Sequence, residues 1–380
     1  MLPRHIAPEL RRRLAAYPAV ALLGPRQCGK TTLALAVGGA YYDLEQEPER
    51  VRLDLEWDER MAGRERLILD EAQAWPEVFP RIRGAIDRDR KRNDRFLLLG
   101  SVAPSLITHI AESLAGRLSQ VELTPLLWQE LSVRRRSRHW LVGGYPDGGI
   151  LEPDRFPRWQ LDYLALLSQR DLPAWGLPAR PQVTERLLRL VAAVHGQIWN
   201  ASQLAQSLAV SYHTVNGYLD HLVGAFLIRR LQPYHGNLRK RLVKSPKVYW
   251  RDSGVLHAVL NVPDARALYR QPWVGASWEG YVIEQVLGEL AAQGRHVEPY
   301  YFRTSDGREI DLVLDFGTER WAIEVKLTAS PSASDLSRLD ATAAMIDASH
   351  RFLVSHTSRS TGSSRRASYN LGGLIDRVRE

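Results

Sequence analysis

Apolar positions divide the 380-residue chain into an opening part of short unbroken runs and a later part of spaced ones. The runs AVALL (19–23), RLILDE (66–71), FLLLG (96–100) and QVEL (120–123) are mainly apolar and read as strands. Helical spacing covers residues 7–16 before the first strand and 33–37 after it, and returns over 159–171. From residue 184 three helical stretches follow in turn, TERLLRLVAAVHG, NASQLAQSLAV and SYHTVNGYLDHLVGAF, and lead into a strand, LIRRLQPY. Leu204, Leu208, Val215, Leu219 and Leu222 recur at helical spacing, with Asn200 or Ser202 and Ser211 as N-cap residues. This order predicts a winged helix-turn-helix. Closer to the C-terminus, helical spacing over 277–290 precedes a strand over 298–303. The stretch EIDLVLDFGTERWAIEVK (309–326) then places two apolar runs on either side of Gly317 and Thr318, the pattern of a β-hairpin.

The charges on that hairpin are unusual. Strict alternation puts Ile310, Leu312 and Leu314 on one face and Asp311, Val313 and Asp315 on the other. Glu324 and Lys326 share a face of the second strand, and apolar residues on mixed faces predict burial on both sides. A buried Glu-x-Lys needs partners or a metal. Two carboxylates on neighbouring strands, Asp311 and Glu324, would hold Mg2+, with Lys326 to orient water and Glu279 of the preceding helix as a fourth member. The plain alternative is an ordinary half-buried antiparallel pair.

Composition narrows the setting. Hydrophobic residues make up 44% and charged residues 25%, as in globular proteins with room for two or three domains at this length. The net charge of +8, with a pI near 9.6, favours a polyanionic partner such as nucleic acid. A single cysteine, Cys28, excludes an internal disulfide framework and fits a reducing compartment. No apolar run approaches 18 residues and the N-terminus lacks a signal peptide's apolar stretch. A soluble, cytoplasmic protein without a membrane partner is the expectation.

The chemistry is densest after the first strand. Gly24, Pro25, Arg26, Gln27, Cys28, Gly29, Lys30, Thr31 and Thr32 spell GPRQCGKTT, a G-x-x-x-x-G-K-T loop between a strand and a helix. Such a loop points backbone N–H groups at phosphates, while Lys30 neutralises charge and Thr31 supplies an oxygen to Mg2+. Asp70 and Glu71 end the second strand, where Asp70 would hold the Mg2+ shell and Glu71 would polarise the attacking water. Ser101, at the end of the third, would sense the γ-phosphate. Arg117 stands in a Gly-Arg pair, placed to reach a neighbouring subunit's nucleotide or, more plainly, to sit at a surface turn.

Taken together, GPRQCGKTTLA, LILDEAQAWPEVFPRIRGAID, LLLGS and SLAGRLSQVELTPL resemble the AAA+ ATPases. GGYP (143–146), KSPKVYWRDSGVL (244–256) and GASWEGYVIEQVL (275–287) extend the likeness to a prokaryotic group that joins an AAA+ module to a C-terminal domain of unknown function. The resemblance implies the usual AAA+ roles for Lys30, Thr31, Asp70, Glu71 and Ser101, with ATP and Mg2+ as cofactors. The C-terminal hairpin is similar to the PD-(D/E)xK signature of the restriction-endonuclease-like fold.

The predicted architecture is α/β: an AAA+ ATPase core over 1–131, a helical lid or linker over 132–182, a winged helix-turn-helix over 183–245 and a nuclease-like domain over 246–380. Tyr212, His213 and Asn216 would face a DNA groove. Arg229, Arg230, Arg239, Lys240, Arg241, Lys244 and Lys247 would line the phosphates. The leading expectation is a DNA-binding ATPase that remodels or moves DNA, including branched DNA such as a Holliday junction, and assembles into a ring or partial ring. An ATP-licensed nuclease of repair or defence and a nucleotide-gated protein-interaction switch are the alternatives.

Overall fold

A computed structural model describes residues 2–102, 114–235 and 244–380, and the chain forms two compact units. The first comprises residues 1–126 with 224–226; the second comprises 127–223 and 227–380.

In the first unit, β1 (Ala19–Leu23), β2 (Ala40–Asp43), β3 (Leu67–Asp70), β4 (Phe96–Gly100) and β5 (Leu118–Glu122) form one parallel sheet in the order β2-β3-β4-β1-β5. Every residue of β1, β3 and β4 is buried, so these unbroken apolar runs are covered on both faces. Leu67, Leu69 and Leu98 pack with Tyr42, Trp57, Phe79 and Ile82 from β2 and the helices Glu47–Ala62 and Val78–Arg88. Because β4 runs between β1 and β3, Ser101 emerges between the phosphate loop after Leu23 and the Asp70-Glu71 pair.

The second unit is built on an eight-stranded sheet, β12-β13-β11-β10-β9-β8-β6-β7. Its strands are β6 (Ile228–Pro233), β7 (Lys247–Trp250), β8 (Glu298–Arg303), β9 (Glu309–Asp315), β10 (Arg320–Val325), β11 (His350–Val354), β12 (Thr361–Gly362) and β13 (Arg366–Tyr369). Helices Pro181–Ala193, Ala201–Leu208 and Tyr212–Gly224 precede β6, the order expected from the sequence. Asn200, not Ser202, caps the second, accepting the Gln203 N–H at 3.2 Å, while the Ser211 hydroxyl accepts the Thr214 N–H. The expected boundary after residue 245 falls between β6 and β7, which pair antiparallel, and β6 continues the sheet through β8. KVYW, though the edge strand of this sheet, is wholly buried.

The hairpin forms as expected, β9 against β10 with Asp315 opposite Arg320, and burial on both faces follows. One face assignment needs correction. Leu312 and Leu314 pack with Trp278, Val282 and Val286 of the long helix Val274–Ala292, but Ile310 lies in the opposite core with Val313 and Phe302. An irregularity in the β8–β9 pairing near Tyr301 shifts the alternation there. The helix Ala333–Ala343 then leads to β11, parallel to β10.

Candidate functional site

At the carboxyl edge of the first sheet, Gly29 adopts φ +99°, a left-handed turn open to glycine, and the helix Lys30–Val37 starts directly after it. No side chain caps that helix among the described residues, so its first N–H groups face the loop. Lys30 is only 6% exposed. Its ammonium donates to the carbonyls of Gly24 and Pro25, both at 3.0 Å, and to Ser101 Oγ at 3.1 Å. A buried cation satisfied by neutral acceptors alone is the complement of a phosphate. Ser101 in turn donates to Glu71 Oε1 at 2.9 Å, which links the cation to the carboxylate expected to polarise water.

Thr31 Oγ1 donates to Asp70 Oδ2 at 2.6 Å, so the two oxygens expected in the Mg2+ shell are adjacent. These residues fit Mg-ATP: Lys30 and the loop amides would hold the phosphates, and Thr31 and Asp70 the ion. When bound, the ion neutralises charge on the phosphate oxygens. Glu71 is a non-glycine residue at φ +46°, a strained conformation held by Ser101 and by the Gln73 amide that donates to its other oxygen. Cys28 is fully buried beneath the loop, and burial pushes its thiol up, away from reactivity. Arg26 pairs with Glu45 at 3.6 Å, and Gln27 occupies a left-handed position in the loop.

Three supporting residues were not foreseen. Tyr41, the second residue of β2, donates to Asp70 Oδ2 at 2.9 Å, and burial beside that carboxylate raises its phenol. Arg4 donates to the carbonyls of Cys28 at 2.9 Å and Thr124 at 2.7 Å, bracing the loop from the N-terminal segment. Gln73 orients Glu71. Only the polar tail of AYYD, beside the acid-bearing strand, carried any trace of this in the sequence.

Arg117 precedes β5, whose start pairs with the start of β1; it therefore lies at the sheet edge opposite the phosphate loop. There it pairs with Asp87 at 2.7 Å. Within one chain it does not meet Lys30.

The expected DNA-facing residues are dispersed. Tyr212 is 51% exposed and His213 lies edge-on to it, whereas Asn216 is half-buried and accepts from Trp199 Nε1 at 2.9 Å. Of the predicted phosphate rim, Arg239, Lys240 and Arg241 lie outside the described residues. Arg229 pairs with buried Glu284 and Lys247 is buried, so these two leave the rim, while Arg230 forms a surface pair with exposed Asp220. Arg229 and Lys247 are drawn inward by carboxylates that the linear sequence does not place beside them. A cationic surface the rim did not include is present elsewhere. Arg134, Arg135 and Arg138, around the start of the helix Val133–Val142, line a cavity of about 450 Å³ with Ile150 and Pro153.

The carboxylates of the C-terminal hairpin do converge, but around a lysine. Lys247 of β7 places Nζ 2.9 Å from Glu279, 2.5 Å from Glu309 and 3.8 Å from Asp311, with a side chain 4% exposed. Tyr249 donates to the same Glu279 oxygen, and the Val325 N–H donates to Asp311 Oδ2 at 2.8 Å. Burial alone would discharge Lys247; Glu279, Tyr249, Asp311 and Glu309 outweigh it and hold the ammonium charged. Burial, with Glu279 and Glu324 nearby, pushes Asp311 well up. Burial likewise raises Glu324 to about 7 against the opposing pull of Lys326, 3.2 Å away.

This arrangement does not fit the Mg2+ expected at Asp311 and Glu324. No three Asp, Glu, His or Cys side chains converge as a metal-binding group among the described residues, and an ammonium already fills the space between Glu279, Glu309 and Asp311. Lys247, Tyr249 and Glu309 were not foreseen as members. A lone lysine in the otherwise apolar KVYW was the available signal.

No helix among the described residues is long and apolar enough to cross a membrane. Three family descriptions match successive stretches of the chain: an AAA domain over residues 16–132, a domain of unknown function (DUF8612) over 133–266 and another (DUF4143) over 274–369. Uncharacterised proteins of Mycobacterium tuberculosis and Mycobacterium bovis are each 37% identical over 369 residues, covering 93% of this chain and 82% of theirs. A Walker-type ATPase of Pyrococcus abyssi is similar in structure at TM-score 0.46 and 17% identity, over 68% of this chain and 96% of that one. That likeness is too distant to assign anything to this chain.

Proposed function

This chain belongs to the family of the two mycobacterial proteins, with an AAA-type ATPase domain and a C-terminal domain of unknown function, and we propose that it hydrolyses Mg-ATP to remodel or move DNA. The observation that carries the hydrolytic half is the Lys30–Ser101–Glu71 chain. It ties the phosphate-binding cation to a carboxylate aimed at the attacking water, so phosphate position and base position are set together. Lys30→Ala is expected to lose tight ATP binding. Glu71→Gln is expected to bind ATP yet turn over at least a hundredfold more slowly. Unchanged turnover in either variant would reject the assignment.

The partner we assign is DNA. The +8 charge, the helical order before β6 and the exposed Tyr212 and His213 all favour it. So does the arginine-lined cavity. Arg134 and Arg135 have no carboxylate partner among the described residues, and clustered like charges of this kind are relieved by a polyanion. A winged helix and a restriction-endonuclease-like domain are the modules we assign to these regions. Branched DNA such as a Holliday junction is included as a substrate by analogy.

The test is the ATPase rate on single-stranded, duplex and four-way junction DNA, with nicking scored in the same tubes. Stimulation by DNA, weakened at least tenfold in Arg134→Glu/Arg135→Glu, is the expected result. No stimulation by any DNA would favour the nucleotide-gated protein switch. Divalent-dependent nicking would favour the nuclease.

A further inference from the structure

We propose that Lys247 is the resident cation of the C-terminal carboxylate cluster: its ammonium stands where a dication would bind, and the domain neither takes a divalent metal there nor cuts through one. This goes beyond the ATPase reading and does not depend on it. Glu279 comes from the helix Val274–Ala292, Glu309 and Asp311 from β9, and the lysine from β7. Glu279 and Glu309 both lie within ion-pair distance of the one Nζ, with Asp311 just behind at 3.8 Å.

Three features distinguish this from a lysine that only assists a bound metal. First, Lys247 lies among the carboxylates and is all but excluded from solvent, whereas Lys326 is about a third exposed and pairs with Glu324 at 3.2 Å. The lysine of the hairpin itself is therefore not the one holding the cluster together. Second, one oxygen of each of two carboxylates is already engaged: Asp311 Oδ2 accepts a backbone N–H, and Glu279 Oε1 accepts from both Lys247 and Tyr249. Third, Glu309 also pairs with Arg303 at 3.2 Å, so a second cation helps neutralise the acidic edge. Two fixed cations beside Glu279, Glu309 and Asp311 leave little negative charge to attract a dication.

The same contact has a mechanical role. β7 and β9 are separated in the sheet by β6 and β8. The Lys247–Glu309 pair bridges that separation and, with Glu279, ties the edge strand to the hairpin and to the helix Val274–Ala292.

Mn2+ binding to the nucleotide-free full chain, followed by electron paramagnetic resonance and by thermal midpoint, tests this. Wild type and Asp311→Asn are expected to bind the same number of Mn2+ ions. Lys247→Met is expected to gain a site at least tenfold tighter than any at this cluster in wild type, to be stabilised by Mn2+, and to lose that site in Lys247→Met/Asp311→Asn. An Asp311-dependent Mn2+ site in wild type, or Mn2+-dependent nicking abolished by Asp311→Asn, overturns the proposal. So does a folded Lys247→Met that gains no site. If Lys247→Met does not fold, the comparison of wild type with Asp311→Asn still decides, because Asp311→Asn leaves Lys247 paired with Glu279 and Glu309. The ATPase rate, read in parallel, reports separately on the phosphate-loop assignment.

Discussion

A single hydroxyl couples Lys30 and Glu71. Ser101 Oγ accepts from Lys30 and donates to Glu71, so one side chain holds the cation proposed to bind phosphate and the carboxylate proposed to polarise water in register. Ser101→Ala is expected to lower kcat by about 10- to 100-fold while changing the Kd for ATP less than about threefold, because Lys30 keeps both carbonyl partners. Stopped-flow binding beside steady-state turnover separates the two effects. Equal losses in both would assign Ser101 to phosphate binding alone. Similar reasoning explains Cys28 before Gly29-Lys30: the side chain is fully buried beneath the loop, where a small apolar group suffices.

Between elements, His195 joins three parts of the second unit. Its Nδ1 accepts the Trp250 N–H of β7 at 3.0 Å, and its Nε2 therefore donates to the Ala276 carbonyl at 3.2 Å. An imidazole that accepts at one nitrogen is neutral, and burial depresses its pKa from 6.5 to about 3. The unfolded chain thus binds a proton that the folded chain refuses. Stability from His195 is complete above about pH 6.5 and drains away as pH falls toward 3, by about 2 kcal/mol at pH 5. Chemical denaturation between pH 4.5 and 7.5 should show a steeper acid loss in wild type than in His195→Gln, and parallel curves would refute the linkage. The comparison with the variant is necessary because His257, also depressed, adds to the loss, while Glu324 and Asp252, raised to about 7 and 6, oppose it.

For the whole molecule, the position of Arg117 carries the question of assembly. It lies across the sheet from the phosphate loop and pairs with Asp87, so it serves hydrolysis only if a second copy brings another loop to it. Mixing Arg117→Ala chains into wild type should then reduce turnover more steeply than the mutant fraction. A strictly proportional curve would leave Arg117 as a surface ion pair. Self-association into a ring or partial ring stands or falls with that curve.

The sequence by itself determined whatever depends on neighbours along the chain. The phosphate loop, the acid pair after β3 and the hairpin turn are contiguous stretches whose backbone geometry and apolar runs restrict their conformation locally. Even the helix caps at Asn200 and Ser211 are set within three residues. Tertiary structure alone decided which distant groups meet. Tyr41 reaches Asp70 because β2 pairs with β3, and Arg4 reaches Cys28 from the opening segment. Lys247, which the sequence offered as a phosphate contact, became instead the ammonium between Glu279 and Glu309. A charge in a linear sequence does not reveal whether water or a carboxylate will surround it. That is settled by the order of the strands, and here the order placed a lysine of β7 between Glu279 and Glu309, beside the Asp311 carboxylate of the hairpin.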